Sequence, residues 1–323
     1  MHASYSGLRC GIILAAGEGR RLRTFIYRLR GDNLPKQYVS FIGTRSMLED
    51  TFHRAEKLIP SDRLFTVVSQ DHLKYSEVRQ QLSSRPRGTV VVQPENKETG
   101  PGLLLPLMRV YSRYPESTVV VFPSDHVILE EDLFISYVDL ACRAVERDPT
   151  RLILLGVEPT EPEREYGYIL PGSSVKTLAP LNVLRVLQFV EKPDSHAVPD
   201  LIVKGGLWNT MIMVFKARTL LEMVRRTVPR LFEVFGRIAS AIGTSSERNV
   251  VEKTYREIEP LNFSKGLLET FPQKRPGCLL TLPVRGVSWS DWGSEARVIS
   301  MLRRTGRVGR LNGITEDELF RIS

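Results

Sequence analysis

Five short apolar runs, rich in β-branched residues, recur through the first half of the chain, near 9–15, 64–69, 89–93, 118–123 and 152–157. Stretches with helical spacing separate them, near 46–58, 71–83, 102–114 and 131–147. A strand that is apolar throughout has no wet face and must be covered on both sides. Its alternation with helices argues for parallel strands joined by helical crossovers. The expected fold is α/β: a doubly wound, mostly parallel, Rossmann-like sheet with helices on both faces. Ligands on such sheets bind beyond the carboxyl ends of the strands.

The second half has strand-like runs near 166–170, 183–191, 208–215 and 278–287, with helices near 217–227, 230–242, 247–258 and 294–304. Leu220, Leu221, Met223 and Val224 fall at helical spacing and read as core. This half is read as continuing the same sheet. At 323 residues, 42% hydrophobic and 25% charged, the chain has the makings of a soluble protein with a substantial core. No stretch approaches the roughly 20 apolar residues of a membrane span. Cys10, Cys142 and Cys278 are too scattered for a disulfide framework or a zinc site. With no leader pattern in Met1–Ser6, a reduced, cytoplasmic protein is expected. The net charge of +8 is spread over arginines 20–30 and 303–310 without a basic stripe interleaved with aromatics, so nucleic acid is not the expected partner.

The first apolar run, Cys10-Gly11-Ile12-Ile13-Leu14, leads directly into Ala15-Ala16-Gly17-Glu18-Gly19-Arg20-Arg21-Leu22, and Pro35-Lys36-Gln37 follows. Gly17 and Gly19 allow φ > 0 and close approach to an anion, and consecutive amides in such a turn form an anion-binding concavity. Arg20, Arg21 and Lys36 add cations, and an arginine can fork two phosphate oxygens. The GxGxR spacing is neither a Walker loop nor the dinucleotide fingerprint. It reads as a cradle for a nucleoside triphosphate. Asp125, in Pro123-Ser124-Asp125-His126, emerges at the end of a valine strand, and Asp291 sits in Trp289-Ser290-Asp291-Trp292. Either aspartate alone would serve to close a turn. Together at one pocket they would suit Mg²⁺, which takes one or two carboxylates plus phosphate oxygens and water.

Further landmarks follow in order: Gln93-Pro94-Glu95-Asn96 with Thr99-Gly100-Pro101, Glu165-Tyr166-Gly167-Tyr168-Ile169, Phe189-Val190-Glu191-Lys192-Pro193, Leu207-Trp208-Asn209 and Trp289-Ser290-Asp291-Trp292-Gly293-Ser294. With the opening turn and Pro-Lys-Gln, the chain resembles the sugar-1-phosphate nucleotidyltransferases over roughly residues 9–300, and within them most resembles the mannose-1-phosphate guanylyltransferases. The resemblance implies a GT-A-type sheet with a sugar-binding extension. It also implies one nucleotidyltransferase domain over 1–300, with a nucleotide half to about 160, a sugar half beyond it, and a tail from 301. The implied reaction joins GTP and mannose 1-phosphate into GDP-mannose, releasing pyrophosphate. In it, Arg21 and Lys36 would stabilise the triphosphate, and Asp125 and Asp291 would hold Mg²⁺. No base is needed, because a phosphate is already a competent nucleophile, so His126 is read as structural. Gln93, Asn96 and the backbone of Leu14, Ala15 and Ala16 are the candidates for the base, since side-chain amides carry donors and acceptors. The candidates for the sugar are Tyr166, Gly167, Glu191, Lys192 and Asn209. Trp208 and Trp292 read as core rather than stacking platforms. No membrane partner is expected, and a homo-oligomer is left open.

The chain departs from that pattern in places. Thr24 replaces a usual proline, and the basic segment 23–34 reads as a long loop, a candidate flap over the triphosphate. Thr99-Gly100-Pro101-Gly102 stands for Thr-Ala-Pro-Ala, Thr210-Met211 for Ser-Gly, and Ser264 for an aspartate. Only 30 residues follow Gly293, too few for the appended domain of some relatives. Rival readings are a thymidylyl- or uridylyltransferase acting on glucose 1-phosphate, a regulatory subunit that only binds sugar nucleotides, and a glycosyltransferase. The last lacks a visible Asp-x-Asp pair.

Overall fold

The computed structural model describes residues 7–304 and 306, so positions 307–323 of the expected tail, with Arg307 and Arg310, lie outside the described residues. The strands are β1 Arg9–Leu14, β2 Leu64–Ser69, β3 Val90–Gln93, β4 Thr118–Pro123, β5 Val127–Ile128, β6 Leu152–Val157, β7 Gly167–Ser174, β8 Leu184–Glu191, β9 Leu207–Lys216, β10 Leu279–Val284 and β11 Trp289–Ser290. The helices are α1 Arg23–Arg30, α2 Met47–Glu56, α3 Ser76–Ser83, α4 Thr99–Arg113, α5 Glu131–Arg147, α6 Ala197–Val203, α7 Ala217–Thr227, α8 Pro229–Ala241, α9 Glu247–Glu257, α10 Phe271–Lys274 and α11 Glu295–Arg304. Local sequence sets several boundaries. Ser46 and Glu49, for example, cap α2 reciprocally, each side chain bonding the other's backbone N–H.

Nine strands form one sheet in the order β3-β2-β1-β4-β9-β6-β10-β8-β7. From β3 to β4 the pairings are parallel, as the alternation predicted. Beyond β4 the sheet is mixed, which narrows the "mostly parallel" expectation to the first half. Strand β9 enters antiparallel between β4 and β6, β10 runs parallel to β6, and β8 and β7 add antiparallel. Residues alternate between two cores. Ile13, Val120, Phe122 and Ile153 face α1, α2, α5 and α11, whereas Cys10, Ile12, Val119, Val121 and Leu154 face α4 and α7–α9. All three cysteines are buried and unpaired. Among the described residues no helix is long and apolar enough to cross a membrane.

The segment expected as a flap is corrected. Residues 23–30 form α1, which buries Phe25 and Ile26, stacks Phe25 on Phe41 and ends on Gly31 at φ +78°. Arg28 pairs with Glu295 at the start of α11, which ties α1 down at its outer face.

Candidate functional site

The glycine turn runs from the end of β1 into the first helical turn at Arg20–Leu22. Gly19 is left-handed at φ +59°, as the turn requires. Gly17, also expected at positive φ, does not take it, but a Cβ there would meet nothing within 4 Å, so its face stays open to a ligand. Residues from Pro-Lys-Gln hold the turn in place. The Gln37 amide, 2% exposed, donates to the carbonyls of Ala15 at 2.9 Å and Gly17 at 2.8 Å, and the Tyr38 hydroxyl also donates to Ala15 O at 2.9 Å. The Ser124 hydroxyl donates to Leu14 O at 2.7 Å and ties the turn to the end of β4. Arg20 is paired to Glu18 and stands out in solvent.

Asp125 and Asp291 are brought together by the two-stranded β5–β11 ribbon, in which Val127 faces Ser290. Lys36, 5% exposed, links them: Nζ lies 2.9 Å from Asp125 Oδ2 and donates to Asp291 O at 2.6 Å. Burial alone would raise the Asp125 pKa, but Lys36 and His126 bring it below the usual carboxylate range. The Asp291 carboxylate accepts from the Tyr166 hydroxyl and Gly293 N–H, both at 2.9 Å, and faces Arg297 and Arg21 at 3.4 Å. Arg21 also pairs with Glu165 at 3.1 Å. His126 is buried; burial depresses its pKa, and its Nδ1 accepts from Trp289 Nε1 at 3.3 Å. That arrangement agrees with the structural reading.

Arg21, Lys36, Asp125, Lys192 and Gly293 line one cleft of about 560 Å³ with Gly19, Arg20, Asn96 and Glu98. An adjoining cavity is lined by Leu14, Ala16, Gly17, Gln93, Asn96, Glu98, Thr99 and Gly102. Ala15 does not join it, because its carbonyl is spent on Gln37 and Tyr38. Gln93 is 1% exposed and its Oε1 has no hydrogen-bond partner among the described residues. Asn96 donates to Glu18 at 3.4 Å and accepts from Glu98 N–H at 2.9 Å.

The residues expected at the sugar are distributed differently. Tyr166 is buried beside Trp208 and Trp289, and its hydroxyl positions Asp291. Gly167 lies opposite Glu191 in the β7–β8 pairing, and a Cβ there would stand 2.8 Å from Glu191 Oε2, so it makes room for that carboxylate. Burial raises the Glu191 pKa. Lys192, at φ +48°, lines the same cleft as Arg21, Lys36 and Asp125. Asn209 is buried and its amide oxygen accepts from Met211 N–H at 3.1 Å. Trp208 donates to the Tyr168 hydroxyl at 2.9 Å and Trp292 packs edge-on against Phe41, so both are core.

Three residues escaped the sequence reading. Gln37 stood in the quoted motif without a role, and Arg297 and Glu163 carried no motif. Arg297 pairs with Glu163 at 3.0 Å and covers the Tyr166 ring at 4.7 Å from its centroid. Chemically, the cleft offers a glycine turn, four cations (Arg20, Arg21, Lys36 and Lys192) and the carboxylates of Glu18, Glu98 and Asp125 at one end of the sheet, with Asp291 reached through Lys36 and Arg21. No group of three or more His, Cys, Asp or Glu side chains gathers among the described residues. Lys36 lies between the Asp125 carboxylate and the Asp291 main-chain carbonyl, and the Asp291 carboxylate faces Arg21 and Arg297. One or two carboxylates with phosphate oxygens and water are the donor set that Mg²⁺ takes.

Residues 10–301 match the nucleotidyl transferase family. The xanthan biosynthesis protein XanB of Xanthomonas campestris pv. campestris is 30% identical over 306 residues, covering 94% of this chain and 61% of its own. Mannose-1-phosphate guanylyltransferase 2 of Escherichia coli O157:H7 is 25% identical over 323 residues, covering 95% and 63%. The chain thus spans about three-fifths of the length of these relatives. The crystal structure of mannose-1-phosphate geranyltransferase from Thermus thermophilus superposes with a TM-score of 0.74 at 25% identity, covering 88% of this chain and 76% of that one. A UDP-glucose pyrophosphorylase complexed with UDP-glucose shares the fold at a TM-score of 0.55 and 16% identity. With the match spanning the whole sheet and both clefts, this chain belongs to the nucleotidyl transferase family, as its resemblance to the sugar-1-phosphate nucleotidyltransferases implied.

Proposed function

We propose that the protein is a sugar-1-phosphate nucleotidyltransferase that condenses GTP with mannose 1-phosphate to GDP-mannose and pyrophosphate. The observation that carries this reading is Lys36, buried between the Asp125 carboxylate and the Asp291 carbonyl and lining one cleft with Arg21 and Gly19. The guanylyl and mannosyl assignments rest on the relatives' names and on a base cavity beside that cleft.

An oxygen of the sugar phosphate attacks the α-phosphorus. The new P–O bond forms as the bond to the bridging oxygen breaks, and pyrophosphate leaves with the electron pair. The protein contributes alignment and charge compensation, with no proton to remove. Arg21 and Lys36 neutralise the triphosphate, Gln93 and Asn96 face the base, Lys192 counters the sugar phosphate and Glu191 pairs with sugar hydroxyls. Asp125 and Asp291 would hold Mg²⁺, whose chemistry here is to screen phosphate charge.

The test is pyrophosphate release with Mg²⁺, crossing GTP, ATP, UTP and dTTP against mannose 1-phosphate and glucose 1-phosphate. Turnover is expected with GTP and mannose 1-phosphate, falling about 10²-fold or more in Asp125→Asn. Preference for another pair would refute the specificity and keep the chemistry. Silence with every pair, with sugar nucleotides still bound, would point to a regulatory subunit.

A further inference from the structure

Glu98 combines a backbone and a side chain that the reaction so far leaves unexplained. Its φ of +69° and ψ of −177° fall in a region that glycine alone visits freely, and such outliers persist where function keeps them. It is the N-cap of α4, yet its side chain makes no capping bond. Among the described residues the carboxylate takes no hydrogen bond or ion pair, and it acts on Arg20 through space. It lines both the triphosphate cleft and the base cavity, where they meet. In the same cavity Gln93 Oε1 is buried and unpartnered, with Gly102 leaving it room: a Cβ on Gly102 would stand 3.4 Å from it. The cavity therefore offers a carboxylate and an unpartnered amide oxygen as acceptors to a ligand's donors.

We propose that Glu98 is the residue that selects guanine, its two carboxylate oxygens accepting from the adjacent N1–H and N2–H₂ groups while Gln93 Oε1 takes a further N–H of the base. The inference rests on the guanylyl reading above. Guanine is the nucleobase with two neighbouring donors on that edge. A charged acceptor pair matches them by two charge-assisted bonds. Adenine presents a lone pair at N1. Uracil and thymine place one N–H between two carbonyls, which a carboxylate repels. The strained backbone places Glu98, an exposed residue, at the junction of the two cavities, where the α4 N-terminus also favours negative charge.

The experiment compares initial rates with GTP and inosine triphosphate, which lacks only the 2-amino group, in wild type, Glu98→Gly and Glu98→Gln. Wild type should prefer GTP by about tenfold or more, the factor for one charge-assisted hydrogen bond. Glu98→Gly suits the local φ and should bring the two rates near parity without lowering the melting temperature. Glu98→Gln keeps size but aims an N–H at the base, and should lose the preference at least severalfold. A GTP-to-inosine ratio unchanged in either folded variant overturns the proposal. A lowered melting temperature with that ratio unchanged also overturns it, by showing a capping role. Wild-type preference for UTP or dTTP over GTP would overturn the guanylyl reading and this inference together, whatever the variants do. Intact GTP preference in wild type with unaltered variants would remove Glu98 alone.

Discussion

Gln37→Met is the sharpest probe of how the glycine turn is held. Methionine fills nearly the same space but offers no donor to Ala15 O or Gly17 O, which now receive bonds of 2.9 and 2.8 Å. Ala15 O keeps the Tyr38 hydroxyl, whereas Gly17 O loses its side-chain donor. A neutral hydrogen bond contributes about 1 kcal/mol net, and because Gly17 is exposed, water can reach the carbonyl that it frees. The loss of two such bonds should total roughly 2 kcal/mol, lowering Tm by about 3 °C for a chain of this size. Because the freed carbonyls belong to the turn proposed to cradle the phosphates, kcat/KM for the nucleotide should also fall roughly 10–100-fold. Gln37→Glu should be worse than Met, since it points acceptors at two carbonyls and adds negative charge beside the phosphates. Pyrophosphate release at varied GTP, with thermal melts in parallel, gives both quantities. A Met variant with wild-type kcat/KM and Tm, or a Glu variant no worse than Met, would refute the idea that Gln37 pins the turn.

Two other outcomes follow from the same geometry. Gly19→Ala forces a Cβ into φ +59° and sets it 3.3 Å from Lys36 Cγ, so stability should fall by about 1–2 kcal/mol with kcat reduced, both read by melts and pyrophosphate release. Burial holds the pKa of His72 and of His126 below 6.5, so below that value the unfolded chain binds protons first. Stability should therefore be fully present above pH 6.5 and decline as pH falls through 6.5 toward their folded values, by up to about 1.4 kcal/mol per pH unit for each. Equal denaturant midpoints at about pH 7.5 and about pH 5.5 would contradict this.

What the sequence revealed follows from which signals are local. The first-half strands were legible because continuous apolar runs bounded by turns admit few readings, and the observed β2, β4 and β6 coincide with them. Direction was not legible past β4, because a strand buried on both faces carries no mark of parallel or antiparallel pairing. Helix α1 was hidden because its apolar side is only Phe25, Ile26 and Leu29 among arginines, though Gly31 is a C-cap signal in hindsight. At the candidate site, Arg21, Lys36 and Asp125 meet because each sits at a strand or turn end that a short motif marks. The packing of Tyr166 against Trp208, Trp289 and Arg297 is a tertiary fact that no single-chain spacing encodes.

The insertion of β9 between β4 and β6 also bears on how the chain reaches its native state. β4 and β6 precede β9 in sequence, so both leave the ribosome with bare edges that nothing earlier in the chain covers. Only when Leu207–Lys216 is available can the sheet be bridged, by a long-range closure that is entropically slow. Until then the nascent chain carries unpaired apolar strands, the condition in which chains stick to one another. The period of greatest exposure thus falls during synthesis, and the strands that end it, β9 and then β10, belong to the half of the chain that makes the sheet mixed.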